Sequence, residues 1–361
     1  MIRLFQKLNQ TWGTISLAGP RLALFSALLF GLSPALSKHF AGETSAPSLA
    51  GLLYLGSGLG LLIVLLFRKN TLLGNLQRLS GRERAKVFGA ILSGGVLAPL
   101  CFAYGIKAAS AFEVSLLLNV ETVASTIIAW LVFHEHVGPR VWGGKVLVLI
   151  GALILSFDPT SSMVFSLPAL IVVAACILWG IDNNLTRDVE NLSPTEFACL
   201  KGMVAGVTNI SIGLLFFSIP NRISSVVALL VIGAFSFGVS LVLFIQALRQ
   251  IGTARTATYF ATAPFFGMIA AMLLLRETMQ FSEWIAAALM ALGVWVLRRE
   301  HHEHCHTHEA MTHSHRHVHD EHHQHDHDGT EGPEPHTHVH THEPMTHSHP
   351  HWPDIHHRHT H

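Results

Sequence analysis

One kind of side chain dominates the chemistry in this sequence of 361 residues. Of its 27 histidines, 24 stand at or after His301. From there His alternates with Thr, Ser, Asp, Glu and Val. Neutral imidazole ligates zinc, nickel, copper and cobalt. In an extended chain residues i and i+2 share a side, so each His-x-His presents two nitrogens together and several pairs can wrap one ion. The expected ligands are His301, His302, His304, His306, His308, His313, His315, His317, His319, His322, His323, His325, His327, His336, His338, His340, His342, His347, His349 and His351. Ten carboxylates in the same stretch add attraction for cations. The pattern points to a transition metal ion, nickel, cobalt, zinc or copper, without choosing among them. A pH-responsive tail, since His titrates near pH 6.5, is a rival use of the composition. So is a repeat expansion without a role: HTHEAMTHSH (His306–His315) returns as HTHEPMTHSH (His340–His349). With little apolar material to offset the ordering entropy, residues 299–361 are expected to be disordered until they bind. His302–His306 also fits H-E-x-x-H, a metalloprotease motif that works only on an ordered helix. In a tract with His at every second place such a match arises by chance, and no other constellation suggests an enzyme or a required cofactor.

A second set of polar residues sits within apolar runs. An ionisable group inside a bilayer costs roughly 3 kcal/mol or more and needs a reason. Glu121 reads as a proton- or cation-binding carboxylate facing a cavity, or as a structural Glu bonded to a neighbouring helix. Ser115, Asn119, Thr122 and Thr126, spaced by four, three and four, share one helix face. They read as a polar lining or as interhelical glue. Glu121 is about 100° around from Thr122 and need not share their cavity. Asp182, Asn183 and Asn184 follow Trp179-Gly180. They read as a gate or cation cluster with a helix break at Gly180, or as an interfacial helix end; position near the interface favours the second. Tyr104, Gln246 and Tyr259 are isolated polar groups that could line a pocket or serve packing and anchoring. Glu135 and Glu277 end apolar runs and read as structural, bonding the turn into the next run. His134 and His136 flank Glu135 but point different ways on a helix, which favours a solvated loop. Pro34, Pro99 and Pro264 interrupt helical runs, as packing kinks or as irregular backbone opened onto a cavity.

These residues must be positioned by membrane helices. Half the chain is apolar and 13% is charged, against about 25% in soluble domains. A bilayer core about 30 Å thick takes roughly 20 apolar residues in helix. Ten runs qualify: Leu22–Ser37, Leu49–Phe67, Val87–Ile106, Val114–Phe133, Val141–Phe157, Pro159–Ile181, Gly202–Asn221, Ile223–Leu248, Thr256–Leu275 and Trp284–Leu297. Residues 1–300 carry net +8 and the remainder −8, so the zero net charge is two opposite charges cancelling. That excludes one soluble domain and a nucleic-acid binder. The four cysteines, three of them in apolar runs, imply no disulfide framework. Residues 1–20 lack the continuous apolar core of a secretory signal and read as a cytoplasmic segment. With the N-terminus inside, the basic cluster from Arg68 to Lys86 lies inside, with Arg140, Lys145, Arg187, Lys201, Arg249, Arg255, Arg298 and Arg299. Lys38, Lys107, Arg222 and Arg276 lie outside. This obeys the positive-inside rule and places both termini in the cytoplasm of a cell that carries the protein in its plasma or inner membrane.

The runs repeat. At an offset of 142 residues Lys107 meets Arg249, Glu135 meets Glu277, Trp142 meets Trp284 and Gly151 meets Gly293. At 149, Phe30-Gly31 meets Trp179-Gly180 and Lys38 meets Arg187. The halves are residues 21–157 and 158–298, five spans each. Five is odd, so the second copy is inverted, a device of secondary transporters. FHEHVGPRVWGGKVLVLIGALIL (Phe133–Leu155), LRETMQFSEWIAAALMALGVWVL (Leu275–Leu297) and the two aromatic-Gly pairs resemble the EamA type of the drug/metabolite transporter superfamily. The resemblance covers about residues 20–298. It implies an all-α membrane protein of ten helices in two inverted five-helix repeats, to which the disordered tail is added. It also implies carriage of metabolites or drugs, often by proton coupling or exchange. The first expectation is therefore an exporter of a small metabolite or drug-like solute with a metal-binding tail. The alternative is a nickel, cobalt or zinc exporter whose tail captures the ion. A non-transporting metal sensor or buffer comes third.

Overall fold

A computed structural model describes residues 18–67, 72–133, 137–157, 166–187, 189, 191–217 and 222–298, and four strands beyond His301. Two units separate, residues 1–300 and 301–352. In the first, every described element is helical. The chain runs through α1 (Ala18–Gly31), α2 (Ser33–Ala41), α3 (Ala46–Phe67), α4 (Leu72–Arg78) and α5 (Gly81–Ala90). A π-helical segment, Ile91–Leu97, leads into α6 (Ala98–Ala108), α7 (Ala111–Leu117), α8 (Asn119–Phe133) and α9 (Pro139–Ser156). The second half has α10 (Leu167–Arg187), α11 (Pro194–Phe216), α12 (Ile223–Ile232), a second π segment (Gly233–Val239), α13 (Ser240–Phe260), α14 (Ala263–Leu274) and α15 (Phe281–Arg298).

Among the described residues eight continuous stretches are long and apolar enough to cross a bilayer, and two shorter apolar helices, Ala263–Leu274 and Phe281–Val296, follow them. Large apolar side chains such as Phe25, Leu66, Leu215 and Leu273 stand exposed on the outside, as a bilayer-facing surface requires.

The three prolines act where helices start. Pro34, Pro99 and Pro264 each occupy the first turn of a new helix, α2, α6 and α14. There each lacks the N–H that would reach back to the carbonyl four residues earlier. The π segments, 142 residues apart in sequence, insert one extra residue per turn in the middle of their spans. Such segments are rare and turn up at functional sites.

Glycine lets the two halves cross closely. A Cβ on Gly202 of α11 would lie 2.5 Å from the backbone nitrogen of Gly58 on α3. Small residues at such crossings let backbones touch and gain dispersion contact, the main attraction between helices in lipid.

The second unit is described by itself. Four short strands are present, β1 (Glu303–His308), β2 (Met311–His317), β3 (His336–His342) and β4 (Met345–Pro350). β1 pairs with β4 and β2 with β3, both antiparallel. Thr and Val between the histidines favour extended backbone, and alternation at period two is the strand pattern. Glu303 and His304 lie on β1, so the H-E-x-x-H match has no helix to act from.

Candidate functional site

The second half supplies most of the site. α10 runs unbroken through Gly180, so the reading with a helix break there does not hold. Asp182 is 3% exposed, so it is not at a solvated helix end. It pairs with Lys201 of α11, itself buried. Lys201, counted in the sequence among the basic residues of the cytoplasmic side, is thus also the partner in a buried ion pair. α11 begins at Pro194, earlier than the charge-free run, because Ser193 and Glu196 form a reciprocal capping box. Each satisfies an amide that the helix start leaves open. Lys201 therefore lies two turns inside the helix. Thr186 donates to the second Asp182 oxygen at 3.1 Å. A buried pair of this kind is costly to break, because the surviving charge is left without compensation.

The first half makes room for this pair. Gly94, in the first π segment, faces Asp182, and a Cβ there would lie 2.2 Å from its Oδ2. The Gly94 carbonyl accepts hydrogen bonds from the Tyr54 hydroxyl at 2.7 Å and from Trp179 Nε1 at 3.1 Å. Trp179, on α10, also packs edge-on against Phe30 and Phe102, with ring centroids 5.8 and 5.4 Å apart. The aromatic-Gly pairs of the two halves thus meet in space through Phe30 and Trp179.

Glu121 of α8 joins the cluster through the next residue of α10: Asn183 Nδ2 donates to Glu121 Oε1 at 2.8 Å. Around these groups lies a cavity with about 60 Å³ of water-accessible volume. Its charged and polar wall is Glu121, Asp182, Asn183, Lys201, Ser236 and Ser240, and its apolar wall is Phe30, Tyr54, Trp179, Phe237, Phe244 and Phe260. Sequence reasoning singled out Glu121, Asp182 and Asn183, and the structure brings them together. It missed Lys201 and Tyr54. A lysine flanking an apolar run looks interfacial unless the capping box ahead of it is read first.

The proposed polar strip lies on one span, Ala111–Val132, with a turn at Leu118 between α7 and α8. Ser115, Thr122 and Thr126 donate to carbonyls of their own chain at 2.6, 2.9 and 2.8 Å. Asn119 and Thr122, with Glu121, line a smaller cavity beside the first. Tyr104 is 45% exposed, and Gln246 and Tyr259 are half-buried away from both cavities. Lys145, placed among the basic markers, is buried on α9 and donates to the Thr122 carbonyl at 2.9 Å.

Glu277 does not bond the turn into the next run. Its two oxygens accept from the Ala111 and Phe112 amides at 3.0 and 2.9 Å, and Lys38 lies 3.2 Å away. It caps α7, in the other half. Arg276 before it takes positive φ, 54°, and turns the chain back. Glu135, His134 and His136 fall outside the described residues.

Among the described residues no three His, Cys, Asp or Glu side chains gather as metal ligands. In the tail the strand register sets His304 opposite His349 and His306 opposite His347. It sets His313, His315 and His317 opposite His340, His338 and His336. His308 and His342 each face a methionine. His301, His302, His319, His322, His323, His325, His327 and His351 lie outside the described residues.

Comparison with known proteins fits this architecture. The model of the EamA-like transporter family matches twice, over residues 17–157 and 166–299. An uncharacterized transporter of Methanothermobacter thermautotrophicus is 26% identical over 309 residues, covering 80% of this chain and 87% of that protein. A crystal structure with 18% sequence identity superposes with a TM-score of 0.60, over 78% of this chain and 96% of the other.

Proposed function

Because the chain belongs to the EamA-like transporter family, we propose that it is a secondary carrier that exports a small organic solute from the cytoplasm. The observation that carries this reading is the cavity itself. One side holds a carboxylate and a buried ion pair, and the other holds six aromatic rings. That combination suits an amphipathic metabolite or drug-like solute, whose ionic group competes for Lys201 or Asp182 while its apolar body stacks on the rings. Glu121 is the coupling carboxylate: it lies beside the bound solute and exchanges its ion as the carrier changes face. The excess of basic residues on one side favours a carrier in the cell membrane with both termini in the cytoplasm. The tail binds a transition metal through facing His pairs and regulates or accompanies the carrier.

A second reading makes the metal ion the cargo, captured by the tail and passed to the core. The tail favours it. The core does not, because soft or borderline ions want several imidazole or thiolate ligands. A sensor or buffer without transport would leave the two family-length repeats unexplained.

The test is a ligand screen by thermal stabilisation of the purified full chain, using amphipathic metabolites and amines, with divalent nickel, cobalt and zinc alongside. The reading expects an organic ligand that stabilises the parent and fails to stabilise Asp182→Asn. Each hit is then measured as counterflow in liposomes. Stabilisation of the core by metals alone, kept after truncation at Glu300, would favour the second reading.

A further inference from the structure

The smaller cavity beside Glu121 has a structure of its own. It holds about 10 Å³ of water-accessible volume, room for about one water or one small ion. Asn119 and Glu121 line it, together with Phe260, Ala261 and Pro264. Asn119 is wholly buried, and its side-chain oxygen has no hydrogen-bond partner. A buried amide oxygen left without a donor costs about 1–3 kcal/mol, so this oxygen is set for a ligand that supplies positive charge or a proton. Its own amide nitrogen is turned to Met290 Sδ, 3.7 Å away.

The backbone around the cavity points the same way. Leu118, the turn residue between α7 and α8 within the continuous span Ala111–Val132, and Ala261, in the turn between α13 and α14, both line it. Asn119 and Ala261 are partners in the 142-residue repeat, so the two turns nearly correspond. Pro264 has no N–H to donate to the carbonyl four residues earlier, which leaves the Phe260 carbonyl without its helical donor. With the unpartnered Asn119 amide oxygen and the Glu121 carboxylate among its lining residues, the cavity offers oxygen ligands that suit a small cation.

We propose that the cavity bounded by Asn119, Glu121 and the Phe260–Pro264 turn is a binding site for one monovalent alkali cation, Na+, distinct from the solute cavity. Both cavities share Phe30, Glu121 and Phe260, so occupancy of one is felt in the other. The proposal rests on the reading of Glu121 as the coupling carboxylate and names the ion it exchanges. A proton on Glu121 and Na+ in the cavity exclude one another, since both neutralise the same charge.

The experiment uses the purified full-length chain and measures its melting temperature in NaCl, KCl and choline chloride at equal ionic strength, at pH 5 and pH 8. The expected result is a rise of about 3 °C in NaCl at pH 8, corresponding to millimolar binding at 100 mM salt. The rise is smaller in KCl, absent in choline and absent at pH 5. Asn119→Ala removes the rise. Asn119→Asp, which keeps the oxygen and adds charge, retains or enlarges it and serves if the alanine variant folds poorly. Equal melting in all three salts at both pH values overturns the proposal, and the cavity then holds water. A sodium effect that survives undiminished in Asn119→Ala also overturns it, because the ion then binds elsewhere. The carrier reading has a separate readout, organic-solute counterflow in liposomes with choline as the only cation. Transport there alongside salt-independent melting would remove the Na+ site and leave the carrier standing.

Discussion

At the scale of single residues, Asp182 and Lys201 carry the largest energetic stake. Both are buried, and each is the other's counter-charge. Removing one partner of such a pair costs about 3–5 kcal/mol, whereas replacing both by apolar groups of similar volume is often neutral. Lys201→Met should therefore lower the unfolding midpoint sharply, and Asp182→Leu with Lys201→Met should recover most of the loss. Neither variant should transport. A double variant that is both stable and fully active would show that the pair only holds helices together. A single residue also explains why the pair was hidden from the sequence. Lys201 bounds an apolar run, and only the capping box at Ser193 and Glu196 moves the helix start far enough back to bury it. Glu121 was legible because a carboxylate alone in an apolar run is expensive wherever it lies. Asp182 had a cheap interfacial explanation that the fold does not use.

At the scale of elements, the repeat was legible because it leaves matched residue types at fixed offsets. The interruptions were legible in part. Proline marked the starts of α2, α6 and α14, but the turn at Leu118 has no proline or glycine beside it and left no mark in the sequence. The π segments carry no sequence signal beyond small residues. Glu277 was expected to serve its own turn, yet it caps α7 across the boundary between halves, where the exposed amides of a helix start attract a carboxylate. This contact ties α2, α7 and the turn after α14 at one end of the bundle, with Lys38 donating to the Ala109 carbonyl there. Glu277→Gln should weaken that closure by about 1 kcal/mol, a modest figure because both side chains are partly exposed to solvent. A cysteine at Ala109, in a background cleared of native cysteines, should then react faster with an impermeant thiol reagent. An unchanged rate would limit Glu277 to local capping.

At the scale of the molecule, two chemistries are joined in one chain. The described residues between 18 and 298 are an apolar helical bundle with a small mixed cavity. The tail is polar and rich in imidazole, and its two copies of a ten-residue tract pair in antiparallel register. Composition made this division plain, since net +8 and net −8 segments meet near Glu300. It did not foresee the ladders, because entropy arguments for so polar a segment favour disorder, while the period-two placement of Thr and Val works against it. The account assigns the organic solute to the bundle and the metal to the tail. The measurement that tests this most directly is cellular metal content under graded nickel, cobalt, zinc and copper. It compares cells without the protein, cells with the full chain, cells with the chain cut after Glu300, and cells with Asp182→Asn. The account predicts that no metal is exported: the full chain holds content level or raises it slightly by binding, and the cut chain and the Asp182 variant leave efflux unchanged. Efflux of one metal by the full chain, weakened by the cut and abolished by Asp182→Asn, would contradict it and make that ion the cargo.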